Sequence, residues 1–107
     1  MRVYVAGPMG AGVRLDNCMN AIREGMKLME AGHAPFIPHA SFVAHMMVPQ
    51  SYERWMEWDF QWIEVCDAMV RLPGDSPGSD REVELAKTLG IPVFAGVEAF
   101  LAEHPAP

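Results

Sequence analysis

Two short apolar runs separated by a turn and a helical segment constrain the fold of this chain more than any other feature. The runs are Ala68–Leu72 and Ile91–Ala95, and both have the length and apolar content of buried strands. Between them a Ser/Pro/Gly turn at 75–80 opens a helical segment that ends at Gly90. A strand, a crossover helix and a second strand form a right-handed parallel unit, so the sequence predicts a parallel sheet.

The rest of the chain repeats this alternation. Val3–Gly7 predicts a first strand, and Ala34–Pro38 predicts a second whose two prolines favour a sheet edge. Further helices are predicted over about 15–30, 52–65 and 97–103. In the first of these helices the apolar residues recur every three or four positions, and we expect them, methionines included, to fill the core: Leu15, Cys18, Met19, Ile22, Met26 and Met29.

This pattern predicts an α/β fold, a flavodoxin-like or Rossmann-like three-layer domain with a parallel sheet in the strand order 2-1-3-4. We expect one such domain over residues 1–107, with a flexible tail at 104–107. In open parallel sheets ligands bind beyond the carboxyl ends of the strands. The loops after the first and third strands should therefore flank one crevice, and the segment 39–50 should cover it as a loop or short helix.

Composition excludes several classes of function. The net charge is −6 and the eight Lys and Arg residues are scattered, so we expect no binding to nucleic-acid duplexes. No apolar run approaches ~20 residues and the N-terminus runs directly into a strand, which favours a cytoplasmic protein without a membrane span. The two cysteines and four histidines lack metal-ligand spacing, so we expect no metal and no cofactor.

Glu82 is the first candidate catalytic residue, because it lies one turn into the helix that follows the 75–80 turn. A structural alternative is a capping box, in which Ser79 caps the helix and Glu82 returns a hydrogen bond to the Ser79 amide. On the functional reading, Glu82 points toward the crevice, where the amides of the turn and the helix N-terminus would face a bound anion.

Asp59 is the second candidate. Its neighbours on the predicted helix are Trp55, Trp62 and Ile63, which would remove part of its hydration. Partial desolvation raises a carboxyl pKa and favours the protonated form that a general acid needs. The alternative is a hydrogen-bonded aspartate at the helix edge, and helix geometry does not decide between the two.

Taken together, these segments resemble the nucleoside 2-deoxyribosyltransferase family, and in particular its 2′-deoxynucleoside 5′-monophosphate N-glycosidase branch. The resemblance covers roughly residues 2–95 and depends on the joint order of four motifs. They are Tyr4-Val5-Ala6-Gly7, Asp59-Phe60-Gln61-Trp62 with Asp67 following, Ser76-Pro77-Gly78-Ser79-Asp80-Arg81-Glu82, and Leu89-Gly90-Ile91-Pro92-Val93.

The resemblance implies a role for each matching residue. Glu82 would be the nucleophile, Asp59 the proton donor to the leaving base, and Tyr4 the residue that holds Glu82. The remaining residues implied in binding a nucleotide or nucleoside substrate are Gly7, Pro8, Met9, His39, Ser76, Gly78 and Ser79. The implied reaction is hydrolysis of the base–sugar bond of a (deoxy)nucleoside 5′-monophosphate through a covalent glutamyl-sugar intermediate.

Two alternatives stay open at this level: base exchange by a deoxyribosyltransferase, and nucleotide binding without catalysis. The first loop lacks the arginine with which hydrolase relatives clamp phosphate, the nearest being Arg14, and Asp80 adds negative charge that Arg81 could offset. The resemblance and the apolar residues Trp58, Met46 and Met47 also predict a homodimer or higher homo-oligomer.

Overall fold

A computed structural model describes residues 1–10 and 14–107, which form a four-stranded, all-parallel sheet between two layers of helices. The strands are β1 (Arg2–Ala6), β2 (Ala34–Phe36), β3 (Ala68–Arg71) and β4 (Val93–Phe94), in the order β2-β1-β3-β4. The predicted fold class and strand order are confirmed. Of the predicted glycine-rich loop after β1, positions 11 and 12 lie outside the described residues.

Side chains of the central strand β1 alternate between the two faces of the sheet. Val3 and Val5 pack in one hydrophobic cluster, and Tyr4 and Ala6 pack in the other. In the register of the sheet, Tyr4 lies beside Phe36 of β2 and Met69 of β3. The ring of Tyr4 is therefore held at the centre of the sheet.

Each face of the sheet is covered by its own pair of helices. The face that carries Val3 packs against α1 (Arg14–Glu30) and against the last helix of the chain, Val97–Glu103. The face that carries Tyr4 packs against the helices Tyr52–Ile63 and Pro77–Thr88. In chain order the elements after α1 are a 3₁₀ helix (Pro38–Ser41), α2 (Phe42–Met47), α3 (Tyr52–Ile63), α4 (Pro77–Thr88) and α5 (Val97–Glu103). The segment predicted as a loop or short helix is thus a 3₁₀ helix followed by α2.

The predicted buried face of α1 is wrong. The helix turns its small residues and one leucine inward, namely Cys18, Ala21, Gly25 and Leu28, whereas Leu15, Met19, Ile22, Met26 and Met29 are exposed. The physical reason is close packing, because a side chain at position 25 would collide with Ile37. Because Gly25 has no side chain, α1 lies closer to the sheet than it could if its methionines faced inward.

The capping box proposed at Ser79 is also wrong. Helix α4 begins three residues earlier, with Ser76 as its N-cap and Pro77 in the first turn, where a missing N–H costs nothing. The hydroxyl of Ser76 accepts a hydrogen bond from the backbone N–H of Ser79 at 3.1 Å. Because the N-cap is satisfied by Ser76, the carboxyl of Glu82 is free to point elsewhere.

Other local features concern the ends of the helices. Ser51 caps α3, since its hydroxyl accepts a hydrogen bond from the Arg54 N–H at 3.2 Å. At the start of the tail, the ring of His104 lies 4.9 Å from the Phe100 ring between centroids, and the flexibility of the tail stays a prediction. Among the described residues no helix has the length and apolar content needed to cross a membrane.

The aromatic and methionine residues proposed for an interface lie in two different settings. Trp58 packs against Phe36 and Trp62, with ring centroids 5.4 and 6.3 Å away. Met46 and Met47 are exposed at the end of α2. The homo-oligomer stays a prediction.

Candidate functional site

A cavity of about 640 Å³ opens at the carboxyl end of the sheet, beside the loops that follow β1 and β3. Its volume lies in the range of small-molecule sites. Eight of the ten predicted site residues line it: Gly7, Met9, His39, Asp59, Ser76, Gly78, Ser79 and Glu82. Tyr4 lies under the floor of the cavity, and Pro8 contributes its backbone carbonyl to a bond with His39.

Tyr4 and Glu82 are joined by a buried hydrogen bond although they are 78 residues apart in the chain. The phenol of Tyr4 donates to Oε2 of Glu82 at 2.7 Å. Tyr4 is completely buried in β1, and Glu82 is only 4% exposed on the second turn of α4. Burial, followed by the nearby carboxyl groups, raises the pKa of Tyr4 well above its usual range. The phenol therefore remains a hydrogen-bond donor that fixes the Glu82 carboxyl.

Asp59 brings a second carboxyl to the same point from α3. Its side chain is within hydrogen-bonding reach of both Glu82 and Tyr4. Burial raises the pKa of Asp59 to about 6, and the hydrogen bonds to these two neighbours oppose the shift. The indole of Trp55, one turn earlier on α3, lines the same cavity.

The two carboxyl groups form one titrating pair. Burial, and then the hydrogen bond and negative charge of Asp59, raise the pKa of Glu82 to about 9, while Tyr4 and Arg71 oppose this rise. Two neighbouring carboxylates that have lost much of their hydration cannot both ionise readily, so the pair holds one proton over the intervening pH range. At neutral pH the site thus contains one carboxylate and one carboxylic acid.

His39 is buried and fixes the loop after β1. Its Nε2 atom bonds to the backbone carbonyl oxygens of Gly7 and Pro8, at 3.0 and 3.1 Å. Carbonyl oxygens only accept, so Nε2 carries the proton and Nδ1 does not. Burial lowers the pKa of His39, which keeps the ring neutral. His39 therefore lines the cavity, and its Nε2 atom is hydrogen-bonded to the loop after β1.

The loop between β3 and α4 forms another wall of the cavity and is held by Arg71. The guanidinium donates to the carbonyl oxygens of Leu72 and Gly74 and forms an ion pair with Asp80 at 3.3 Å. Asp80 is therefore offset by Arg71 rather than by Arg81, which pairs with Glu53 on α3. This arrangement holds the N-terminus of α4 facing the cavity.

Comparison with known proteins places the chain in a family. A family model described as a domain of unknown function, DUF4406, matches residues 1–95, which is most of the chain. The chain belongs to the DUF4406 family. A search of curated proteins finds no match.

Two solved structures share the fold of this DUF4406 member. A 2-deoxyribosyltransferase of Bacillus psychrosaccharolyticus is similar over 87% of this chain and 69% of its own, with a TM-score of 0.61 and 23% identity. A CMP N-glycosidase of Clostridium botulinum is similar over 87% and 66%, with a TM-score of 0.60 and 21% identity. The predicted resemblance to the nucleoside 2-deoxyribosyltransferase family is thereby confirmed at the level of the fold.

Other residues of the DUF4406 chain that were not predicted as site residues also line the cavity, among them these six: Arg14, Phe42, His45, Gln50, Tyr52 and Trp55. Five of them lie in or next to α2 and the start of α3. Trp55 could have been predicted from the sequence as a site residue, because it precedes Asp59 by four residues and so lies on the same face of the helix. Among the described residues, no group of three or more His, Cys, Asp and Glu side chains could hold a metal ion.

Proposed function

We propose that this protein breaks the N-glycosidic bond of a nucleoside 5′-monophosphate, releasing the free base and the sugar phosphate. The observation that carries the proposal is the position of two carboxyl groups, those of the buried Glu82 and the half-buried Asp59, which line one cavity of about 640 Å³. The fold is shared with a 2-deoxyribosyltransferase and a CMP N-glycosidase, which supports the same class of chemistry here.

The first chemical step uses both members of the pair. The Glu82 carboxylate attacks the anomeric carbon and forms a C–O bond while the C–N bond to the base breaks. Asp59 gives its proton to the leaving base and becomes a carboxylate. The hydrogen bond from Tyr4 occupies one Glu82 oxygen, which leaves the other oxygen as the attacking atom.

The second step returns the site to its starting state. Asp59 takes a proton from water, and the water oxygen attacks the anomeric carbon as the ester bond to Glu82 breaks. Glu82 leaves as a carboxylate and Asp59 is again an acid, so the protons balance. If a second base takes the place of water, the same intermediate yields transfer rather than hydrolysis.

The closeness of the carboxyl groups favours this covalent route. Inverting glycosidases need roughly 6.5–9.5 Å between their carboxyls to admit water, whereas retaining enzymes hold them ~5–5.5 Å apart. Glu82 and Asp59 are within hydrogen-bonding reach of each other. This proximity is closer to the retaining separation than to the inverting one.

The proton has to be on Asp59 for the first step, although Glu82 has the higher pKa of the two groups. Positive charge that develops at the anomeric carbon lies next to Glu82 and favours its ionised form. The Tyr4 hydrogen bond acts in the same direction. The shared proton therefore moves from Glu82 to Asp59 as the C–N bond begins to break.

The 5′-phosphate is assigned to the N-terminus of α4. Ser76, Gly78 and Ser79 line the cavity there, and a helix N-terminus presents backbone N–H groups and a positive dipole end to an anion. A side chain at position 78 would meet the phenol oxygen of Tyr52 at 3.0 Å, so glycine leaves room for a close approach. Arg14 is the cationic side chain that lines the same cavity among the described residues.

The test is a screen of nucleosides and their 5′-monophosphates for released base by chromatography. We expect release from at least one monophosphate, with the matching nucleoside a poorer substrate. An added acceptor base then distinguishes transfer, which yields a new nucleotide, from hydrolysis. Binding of monophosphates without base release from any of them would contradict the proposal and favour a binding module.

The shared proton predicts a bell-shaped pH dependence of kcat/KM, with its plateau between about pH 6 and pH 9. Below the lower limit both carboxyls are protonated and no nucleophile remains. Above the upper limit both are ionised and no acid remains. Initial rates in buffers of constant ionic strength should fall about tenfold per pH unit outside this range. Full activity at pH 4 would contradict the shared-proton mechanism.

A further inference from the structure

The ring of His45 on α2 is held in one orientation by two N–H groups. Its Nδ1 atom accepts a hydrogen bond from the indole N–H of Trp55 at 2.8 Å and another from the backbone N–H of Gln50 at 3.2 Å. Both partners can only donate. Nδ1 therefore carries no proton, and the neutral ring must carry its proton on Nε2.

This Nε2–H group is available to a ligand. Among residues 1–10 and 14–107, the only hydrogen bonds of the His45 ring are the two at Nδ1. The ring is half-buried and lines the cavity together with Phe42 and Trp55. A donor of fixed direction thus borders an aromatic part of the cavity, and flat apolar walls of this kind suit a nucleobase.

The spacing along α3 relates this donor to the carboxyl pair. Trp55, which holds His45, precedes Asp59 by four residues and so lies about one helical turn away, ~6 Å along the axis. A base whose glycosidic nitrogen lies near Asp59 and which extends along α3 toward Trp55 has its outer edge at His45. That edge carries the group that differs between oxo and amino bases.

We propose that His45 selects the nucleobase by donating its Nε2–H to a carbonyl oxygen on the outer edge of the base. This inference rests on the proposed function. Uracil, thymine, hypoxanthine and guanine carry a carbonyl at that position, so their nucleotides are the favoured substrates. Cytosine and adenine carry an amino group there. Because this amino group and the Nε2–H of His45 are both donors, neither can form a hydrogen bond with the other.

The first test compares two matched pairs of nucleotides, uridine with cytidine and inosine with adenosine monophosphates. Wild-type protein is expected to favour the oxo member by roughly tenfold or more in kcat/KM. In His45→Gln the ratio is expected to fall to about threefold or less, because a glutamine amide can donate or accept. Met47→Gln, on the exposed side of α2, is the matched control and should keep the wild-type ratio.

Trp55→Phe gives a second test that leaves His45 in place. It keeps an aromatic ring beside the cavity but removes one of the two N–H groups that hold the tautomer, leaving the backbone N–H of Gln50. The oxo preference should weaken in this variant, and long-range ¹H–¹⁵N NMR should show a larger fraction of the Nδ1–H tautomer of His45 than in wild-type protein. An Nδ1–H tautomer in wild-type protein would overturn the inference.

Two outcomes separate this inference from the proposed function. If base is released but the His45→Gln variant keeps the wild-type ratio, the role of His45 is wrong while the glycosidase proposal stands. If no nucleotide releases base, the glycosidase proposal fails, and calorimetric titration with free uracil and free cytosine becomes the test of His45. Tighter binding of uracil, lost in His45→Gln, would support the inference, and equal binding would overturn it.

Discussion

Replacement of Glu82 by glutamine is expected to abolish base release, with kcat falling by at least roughly a thousandfold. Glutamine has nearly the same volume and can still accept the hydrogen bond from Tyr4, so the packing around position 82 is preserved. An amide oxygen, however, cannot form the glycosyl ester. The measurement is the rate of base release at saturating substrate, with circular dichroism to verify the fold.

Glu84→Gln is the matched control for this experiment. Glu84 lies on the same helix, two residues further on, and is exposed to solvent. Its replacement should leave the rate within about twofold, because the side chain faces away from the cavity. If Glu82→Gln retained a tenth of the wild-type rate, Glu82 could not be the nucleophile.

Asp59→Asn is expected to lose about a hundredfold or more in kcat/KM on natural nucleotides, because asparagine cannot protonate the leaving base. The loss should depend on the leaving group. A nucleotide analogue with a 4-nitrophenol aglycone, which departs without a proton, should be cleaved by the variant at a rate close to that of wild type. The alkaline limb of the pH profile should also disappear.

A matched control for Asp59→Asn is Glu57→Gln on the exposed face of α3, which should be silent on both substrates. Equal losses of Asp59→Asn on the natural and activated substrates would contradict a proton-donating role. Such a result would instead indicate that Asp59 positions Glu82.

The sequence predicted the sheet well because its strands are short, apolar and separated by helices, a pattern that favours a parallel sheet with right-handed crossovers. It failed on the buried face of α1. Two faces of α1, one rich in methionine and one rich in small residues, both repeat every three or four positions. Hydrophobicity alone favours burial of the methionine face, because methionine is more apolar than glycine or alanine. The close approach of Ile37 to Gly25 decides in favour of the small residues, and that contact comes from a segment outside the helix.

Site residues could be predicted where an acidic side chain stands at a position in the chain that the fold directs toward the crevice. Glu82 follows a turn at a strand end, and Asp59 is an acidic residue among indoles; the structure brings both together with Tyr4. The start of α4 was misplaced because Ser76 and Ser79 are both plausible caps, although Pro77 favours the earlier one. The site residues of α2 were missed because a helix of six residues is too short for its apolar periodicity to show which side chains face the cavity.

The Tyr4–Glu82 bond belongs both to the proposed reaction centre and to the hydrophobic interior, since Tyr4 packs with Ile63, Met69 and Ala86. Substitutions that change the volume of Tyr4 are thus expected to destabilise the fold as well as the site. The contacts attributed to the base come instead from the partly exposed stretch between Pro38 and Gln50, where substitutions are tolerated far better. Related chains can therefore diverge in the base they accept while inheriting the same pair of acids.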